Sequence, residues 1–154
     1  MKEIEILLVE DNPDDRDLTI MSLTRDRLAN RIEIARDGEE ALDFLFCRGA
    51  HSSRTFDDAP KLVLLDIKLP KVDGLEVLRE MKADSRTKAI PVVVMTSSAE
   101  QRDMIESYRL GVNSYIQKPI DFGEFQKLIK DLGYYWLCVN QGLPSEAFAN
   151  PAAI

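Results

Sequence analysis

The chain has few of the residues that build cross-linked or metal-bound frameworks. Its 154 residues include two cysteines and one histidine. Cys47 and Cys138 lack the close spacing of zinc-binding or redox motifs, so we interpret them as reduced packing residues. His51 lies in a polar stretch, with no second histidine to complete a metal site. The sequence therefore gives no support to chemistry based on cysteine or histidine.

Long apolar segments are also missing. The longest apolar runs, such as residues 92–95, are far shorter than the roughly 20 residues that span a bilayer. The N-terminus has one lysine and no apolar stretch typical of a secretory signal. The net charge of -7 would repel nucleic-acid phosphates and anionic lipids. We therefore expect a cytoplasmic protein that binds neither membranes nor DNA directly.

The sequence instead alternates short apolar runs with amphipathic segments. The runs are 4–9, 32–35, 61–66, 90–96 and 113–118. Those at 61–66 and 90–96 are almost continuously apolar and rich in valine and leucine, which is typical of strands covered on both faces. Five repeats of strand and helix predict an α/β fold with one five-stranded parallel sheet between two layers of helices.

Side chains that cap helices mark the predicted helix starts. Asn12 precedes Pro13, and four residues are followed three positions later by glutamate: Asp37, Asp73, Ser97 and Asp121. The last helix is predicted from Asp121 to about Val139. Residues 47–60 are predicted to form a long exposed loop, and the chain from Asn140 a loosely structured tail.

Polar and charged side chains end the predicted strands. Glu10 and Asp11 follow the first strand, Asp66 ends the third, Thr96 the fourth and Lys118 the fifth. Ligands of open parallel sheets bind outside the carboxyl ends of the strands, so we expect these groups to converge. Two unit charges about 4 Å apart interact by roughly 4 kcal/mol at an effective dielectric of about 20. Lys118 alone cannot neutralise three carboxylates, and Mg²⁺ is the natural additional cation.

Such a site is suited to phosphoryl transfer. A carboxylate beside Mg²⁺ can act as a nucleophile toward phosphorus and form an aspartyl phosphate. The transfer needs in-line positioning and positive charge around the phosphoryl oxygens. Lys118 and the Thr96 hydroxyl are placed to supply contacts to those oxygens.

Four segments of the chain together resemble the receiver domain of two-component response regulators. In order, they are "LLVEDNP", "LLDIKLPKVDGLEVLREMK", "VVVMTSS" and "SYIQKPI". The resemblance covers about residues 3–135 and implies a flavodoxin-like fold with strand order 2-1-3-4-5. It also implies a receiver domain over residues 1–139 and a tail over 140–154, without an output domain.

The resemblance implies a role for each matching side chain. Asp66 is expected to accept a phosphoryl group from a histidine kinase, and Lys118 to pair with the phosphoryl oxygens. Thr96 is expected to hydrogen-bond the phosphoryl group, and Tyr115 to rotate inward as a switch. The protein would be a signalling phosphoacceptor and not a turnover enzyme.

The resemblance also implies the ligands of Mg²⁺. These are Asp11, Glu10, Asp66 and the backbone carbonyl of Lys68. Glu10 stands where many members have aspartate, and its longer side chain favours contact with the ion through water.

The partners are expected to be a sensor histidine kinase and an unknown downstream protein. The long 47–60 loop and the "YYWL" segment resemble single-domain regulators paired with phytochrome-type histidine kinases. Tyr134, Tyr135, Trp136 and Val139 make the end of the last helix apolar on almost every face. This pattern predicts a homodimer through the last helix, with packing under the tail as the alternative.

Three other functions fit the motifs less well. A phosphatase of the haloacid dehalogenase kind would need a second aspartate where this chain has Lys68. A flavodoxin-type binding module would need a glycine- and serine-rich phosphate loop, and "EDNPDD" would repel a flavin phosphate. A receiver that no longer takes phosphate is disfavoured by the complete set of acidic, hydroxyl and lysine residues.

Overall fold

Five parallel strands form the centre of the computed structural model, which describes residues 4–25, 28–29 and 31–149. The strands are β1 (Ile6–Val9), β2 (Ile32–Ala35), β3 (Leu62–Leu65), β4 (Val92–Thr96) and β5 (Ser114–Gln117). Their order in the sheet is β2-β1-β3-β4-β5, and each neighbouring pair is parallel. The predicted α/β fold with strand order 2-1-3-4-5 is confirmed.

Six α-helices follow the strands or end the described chain. They are α1 (Pro13–Thr24), α2 (Gly38–Leu45), α3 (Gly74–Ala83), α4 (Gln101–Leu110), α5 (Phe122–Tyr134) and α6 (Glu146–Ala149). A π-helical turn, Tyr135–Val139, continues α5, so the last long helix ends where the sequence predicts. None of the helices in the described residues is long and apolar enough to cross a membrane.

Most of the predicted helix caps are present. Backbone N–H groups of the first helical turn donate at 2.7–3.0 Å to the side chains of Asn12, Asp37, Asp73 and Asp121. The prediction for Ser97 is wrong, because α4 begins only at Gln101 and Glu100 occupies its N-cap position. Ser98 makes the local side-chain contacts instead, accepting from the backbone of Glu100 and donating to Asp103.

Alternate side chains of the strands face two separate apolar layers. Leu7 and Val9 of β1 pack in the layer that holds α2 and α3, whereas Ile6 and Leu8 pack in the layer that holds α1 and α5. Every residue of β1, β3 and β4 is buried. This two-sided burial explains why these strands are apolar at consecutive positions.

The 47–60 loop is less free than its polar sequence suggests. The Arg54 guanidinium stacks 3.6 Å from the centre of the Phe44 ring and donates to the carbonyl oxygens of Phe44 and Asp58. The loop therefore carries its own anchor on α2, and it includes a short 3₁₀ turn at Gly49–His51.

The tail folds back on the domain. Ala147 and Phe148 of α6 are 5% and 7% exposed, and Phe148 joins the core layer of α2 and α3. A cavity of about 240 Å³ separates the tail from Pro60, Pro91 and Trp136. The prediction of a loosely structured tail is wrong for residues 146–148, since burial of a phenylalanine side chain stabilises this segment.

Candidate functional site

The backbone places the predicted site residues at one edge of the sheet. The Asp66 N–H donates to the Val9 carbonyl at 3.1 Å, and the Lys118 N–H donates to the Thr96 carbonyl at 2.7 Å. Both bonds extend the parallel ladders one residue beyond the strands. Asp66 and Lys118 therefore leave β3 and β5 in fixed positions, beside Glu10 at the end of β1.

Lys118 is the centre of a buried ion cluster. Its Nζ donates to Glu10 Oε1 at 2.6 Å, to Asp15 Oδ2 at 2.9 Å and to Asp66 Oδ2 at 3.0 Å. The Lys118 side chain is 8% exposed. Charge-assisted hydrogen bonds of this length in a buried place are strong, so the lysine ties three separate segments together.

Asp15 is a member of this cluster that the sequence analysis missed. The acid lies in the first turn of α1, where a carboxylate is favoured by the helix dipole. That ordinary explanation accounts for both Asp14 and Asp15. Asp15 is distinguished from Asp14 only by the structure, which places its Oδ2 atom 2.9 Å from Lys118 Nζ.

Burial and neighbouring charges shift the pKa values of this cluster. Burial raises the pKa of Glu10 to about 7, and the negative charge of Asp66 adds to the rise, whereas Lys118 opposes it. Burial would lower the pKa of Lys118, but the hydrogen bond to Glu10 and the charge of Asp66 raise it above its ordinary value. Lys118 therefore stays charged. The surrounding carboxylates still carry more negative charge than one lysine neutralises, which favours binding of a second cation.

Three carboxylates are close enough to share a metal ion. Glu10, Asp11 and Asp66 each offer an oxygen, and these atoms all lie within 4.8 Å of one another. Glu10 and Asp66 are buried, whereas Asp11 is exposed. An all-oxygen set of this kind, open to water on one side, suits a hard divalent cation.

Lys68 lies in the loop directly after Asp66. Its backbone N–H donates to Asp66 Oδ1 at 3.3 Å. Its ammonium group is turned to α4, where it lies 3.3 Å from Asp103 Oδ2 and 4.0 Å from Glu100 Oε1. The side chain of Lys68 is therefore engaged away from the carboxylate cluster.

Thr96 and Tyr115 line the far side of the site. Thr96 is fully buried, and its hydroxyl oxygen accepts from the Ser98 N–H at 3.2 Å. The Tyr115 hydroxyl is already buried and makes no hydrogen bond of normal geometry, although the Ser98 hydroxyl lies near enough to oppose the rise in its pKa. Burial raises the pKa of Tyr115, and the charge of Asp103 adds to the rise.

Asp103 is a second residue that the sequence analysis missed. It is 3% exposed, and its Oδ2 atom accepts from the Ser98 hydroxyl at 2.9 Å. Its place in the first turn of α4 again has an ordinary explanation in the helix dipole. Nothing in the local sequence distinguishes it from the exposed acids that begin other helices.

The chain is similar to known signalling proteins over most of its length. Residues 6–130 match the response regulator receiver domain. The probable methanogenesis regulatory protein FilR2 of Methanothrix harundinacea is 42% identical over 137 residues, which cover 88% of this chain and 85% of FilR2. Response regulator Rcp1 of Synechocystis sp. is 39% identical over 132 residues, which cover 86% of this chain and 88% of Rcp1.

Solved structures share the fold. The Mn²⁺-bound form of Rcp1 has a TM-score of 0.84 and 37% identity, covering 91% of this chain and 99% of the other. The phosphorylated cyanobacterial phytochrome response regulator RcpA has a TM-score of 0.85 and 36% identity, covering 92% and 99%.

Proposed function

Because the chain belongs to the response regulator receiver domain family, we propose that Asp66 is the residue that accepts its phosphoryl group. Receiver domains are phosphoacceptors of two-component signalling and interact with histidine kinases, and this chain is one of them. The main support is the position of Asp66, whose Oδ2 atom lies 3.0 Å from Lys118 Nζ and beside the carboxylates of Glu10 and Asp11.

In the proposed reaction, an Asp66 carboxylate oxygen attacks the phosphorus of a phosphohistidine. An O–P bond forms as the P–N bond breaks, and the imidazole leaves with the electron pair. Lys118 holds the phosphoryl oxygens, and the Thr96 hydroxyl donates to one of them. Transfer of this kind depends on positioning and on positive charge more than on proton transfer.

Mg²⁺ is the proposed cation. Glu10, Asp11, Asp66 and the carbonyl of Lys68 would hold it, and it would offset the charge that develops on the phosphoryl oxygens. The cluster of three carboxylates supports a divalent ion, and the Mn²⁺-bound form of Rcp1 supports divalent-metal binding by similarity.

We propose that the signal leaves through the surface of α4, β5 and α5. The phosphoryl group carries about -1.5 to -2 charge where the Asp66 carboxylate carried a single one, and its new oxygens would draw in Thr96 and Lys118 and move the loop after β4. Tyr115 is the proposed switch residue. The sequence predicts that it rotates inward, but its hydroxyl is already buried, so we propose that the switch repacks an inward tyrosine.

The proposed kinase is of the phytochrome type. The support is the similarity to Rcp1 and to the phytochrome response regulator RcpA. Residues 1–139 would be the receiver domain, acting in the cytoplasm, with residues 140–154 as a tail. The protein would be a phosphoacceptor rather than a turnover enzyme, and would contact a downstream protein without binding DNA or membranes.

A homodimer through the last helix is also proposed. Tyr134, Tyr135 and Val139 are 58%, 48% and 47% exposed, whereas Trp136 packs in the layer of α1 and α5. Sedimentation should give a dimer for the wild type and a monomer for Tyr135→Glu. Tyr108→Glu, at a 54% exposed position on α4, is the matched control and should stay dimeric. A dimer lost only in the control would place the interface on α4.

Phosphorylation by a small donor tests the acceptor. Incubated with acetyl phosphate and Mg²⁺, the wild type should gain one phosphoryl group in its intact mass. Asp66→Asn should gain none, because an amide oxygen is a poor nucleophile. Asp73→Asn is the matched control and should behave as wild type, since asparagine caps α3 as well as aspartate does. Equal gain by Asp66→Asn would contradict the assignment.

A further inference from the structure

A second polar network joins the two loops that flank the site. Lys68 belongs to the loop after β3, and Ser98 to the loop after β4. The side chains of both residues contact the same oxygen of Asp103. Asp103 Oδ2 accepts a hydrogen bond from Ser98 Oγ at 2.9 Å and lies 3.3 Å from Lys68 Nζ. Asp103 is on α4, so a single carboxylate ties both loops to that helix.

The network is directly continuous with the candidate site. The Lys68 N–H donates to Asp66 Oδ1, and the Ser98 N–H donates to the hydroxyl oxygen of Thr96. Lys68 and Ser98 therefore contact the candidate site through their backbone N–H groups. Their side chains contact Asp103.

The buried carboxylate of Asp103 needs hydrogen-bond and charge partners. Its side chain is 4% exposed, and a buried carboxylate is costly unless it is paired and hydrogen-bonded. The Lys68 side chain, by contrast, is 56% exposed, so water can solvate its ammonium group when it leaves the pair. The hydrogen bond to Asp103 raises the pKa of Lys68. The lysine is therefore the movable half of the pair, and the aspartate the fixed half.

We propose that Asp103 is a positioning residue that latches Lys68 and Ser98 in the unphosphorylated arrangement, against which a phosphoryl group on Asp66 must compete. The proposal rests on the proposed function of Asp66. The new phosphoryl charge lies two residues from Lys68 and draws its ammonium from Asp103. The movement of Thr96 toward the phosphoryl group pulls on Ser98. Opening the latch releases α4, which is part of the proposed output surface.

Binding of beryllofluoride, a stand-in for the phosphoryl group, tests the latch by calorimetry with Mg²⁺ present. Asp103→Asn removes the charge that holds Lys68 and keeps the shape. Because the ion pair is half-exposed, we expect beryllofluoride to bind only about three- to fivefold tighter. Glu106→Gln removes a carboxylate of the same helix that pairs with Arg79 and not with Lys68, and it is the matched control, expected within about twofold of wild type.

Three further measurements separate positioning from a structural effect. Mg²⁺ affinity without beryllofluoride should be unchanged in Asp103→Asn, which shows that the site is intact. Lys68→Arg keeps the ion pair, so Asp103→Asn should tighten beryllofluoride binding in a Lys68→Arg background as it does in the wild-type background. In a Lys68→Met background, Asp103→Asn should change the affinity by less than about twofold, because the latch is already open.

The outcomes distinguish the latch from the acceptor assignment. Beryllofluoride that fails to bind the wild type, or that binds Asp66→Asn equally well, would contradict the proposed function. Binding that depends on Asp66 but is unchanged or weaker in Asp103→Asn would overturn the latch alone. An equal gain in the Lys68→Met background would also overturn it, since the effect would not pass through Lys68.

Discussion

Lys118 Nζ lies 3.0 Å from Asp66 Oδ2, although 52 residues separate the two along the chain. The same ammonium group contacts Glu10 and Asp15. One lysine therefore supplies most of the positive charge for a buried acidic cluster. Its removal should change both the free energy of unfolding and the affinity for metal ions.

Lys118→Met should destabilise the protein by about 3 kcal/mol, because it leaves buried carboxylates without their partner. The proposed Mg²⁺ ion would be held by the same carboxylates in the folded state, so saturating Mg²⁺ should recover part of the loss. Urea unfolding with and without Mg²⁺ measures both effects. Lys127→Met changes the same charge at an exposed position of α5 and should stay within about 0.5 kcal/mol of wild type. Equal effects of the two variants would argue against a buried cluster.

Tyr115→Phe should leave the free energy of unfolding unchanged or raise it by up to about 1 kcal/mol, since an unpaired buried hydroxyl is unfavourable. The Tyr115 hydroxyl is buried and makes no hydrogen bond of normal geometry, so the variant gives up at most a weak contact with the Ser98 hydroxyl. Tyr134→Phe, at an exposed position, is the control for the intrinsic effect of the substitution. A loss of more than about 1 kcal/mol on Tyr115→Phe would mean that the hydroxyl is hydrogen-bonded in solution.

Gly74→Ala should displace the backbone that carries Asp66. A Cβ atom at Gly74 would lie 2.1 Å from the carbonyl oxygen of Asp66 and 2.7 Å from the Cα atom of Ile67. Relief needs a backbone shift, so we expect a cost of about 2–3 kcal/mol and slower phosphorylation by acetyl phosphate. Gly142→Ala has open space around its Cβ position and is the control, expected to be neutral in both measurements. Wild-type phosphorylation of Gly74→Ala would show that the loop tolerates the shift.

Phe148→Ala should cost about 3 kcal/mol, because it removes a side chain that is 7% exposed and part of a core layer. Leu143→Ala, in the same tail but 42% exposed, should cost less than about 0.5 kcal/mol. Thermal unfolding compares the two variants. If neither changes stability, the tail does not dock on the domain in solution.

Much of the fold is readable from the sequence because the strands carry their own signal. Continuous apolar runs such as 61–66 require burial on both faces, and that requirement is met only in a parallel sheet covered by helices. The meeting of Glu10, Asp66 and Lys118 follows from the same reasoning, since the carboxyl ends of parallel strands share an edge.

The errors arise where one residue has two adequate explanations. Asp15 and Asp103 are acids in the first turn of a helix, and the helix dipole accounts for them without a tertiary partner. Ser97 has the spacing of a cap, but backbone geometry after β4 starts α4 later. The tail contains a helix of only four residues, which is too short for a periodic pattern. Its stability depends on the tertiary packing of Phe148, which the sequence does not reveal.

The position of β5 at the end of the sheet has a consequence for biosynthesis. Acidic groups that follow β1 and β3 are translated early, whereas Lys118, the ammonium group that bridges them in the described part of the chain, follows the final strand. A nascent chain that still lacks β5 therefore carries these acidic groups without the lysine that neutralises them. The acidic cluster gains its internal counter-charge only when the last strand joins the sheet.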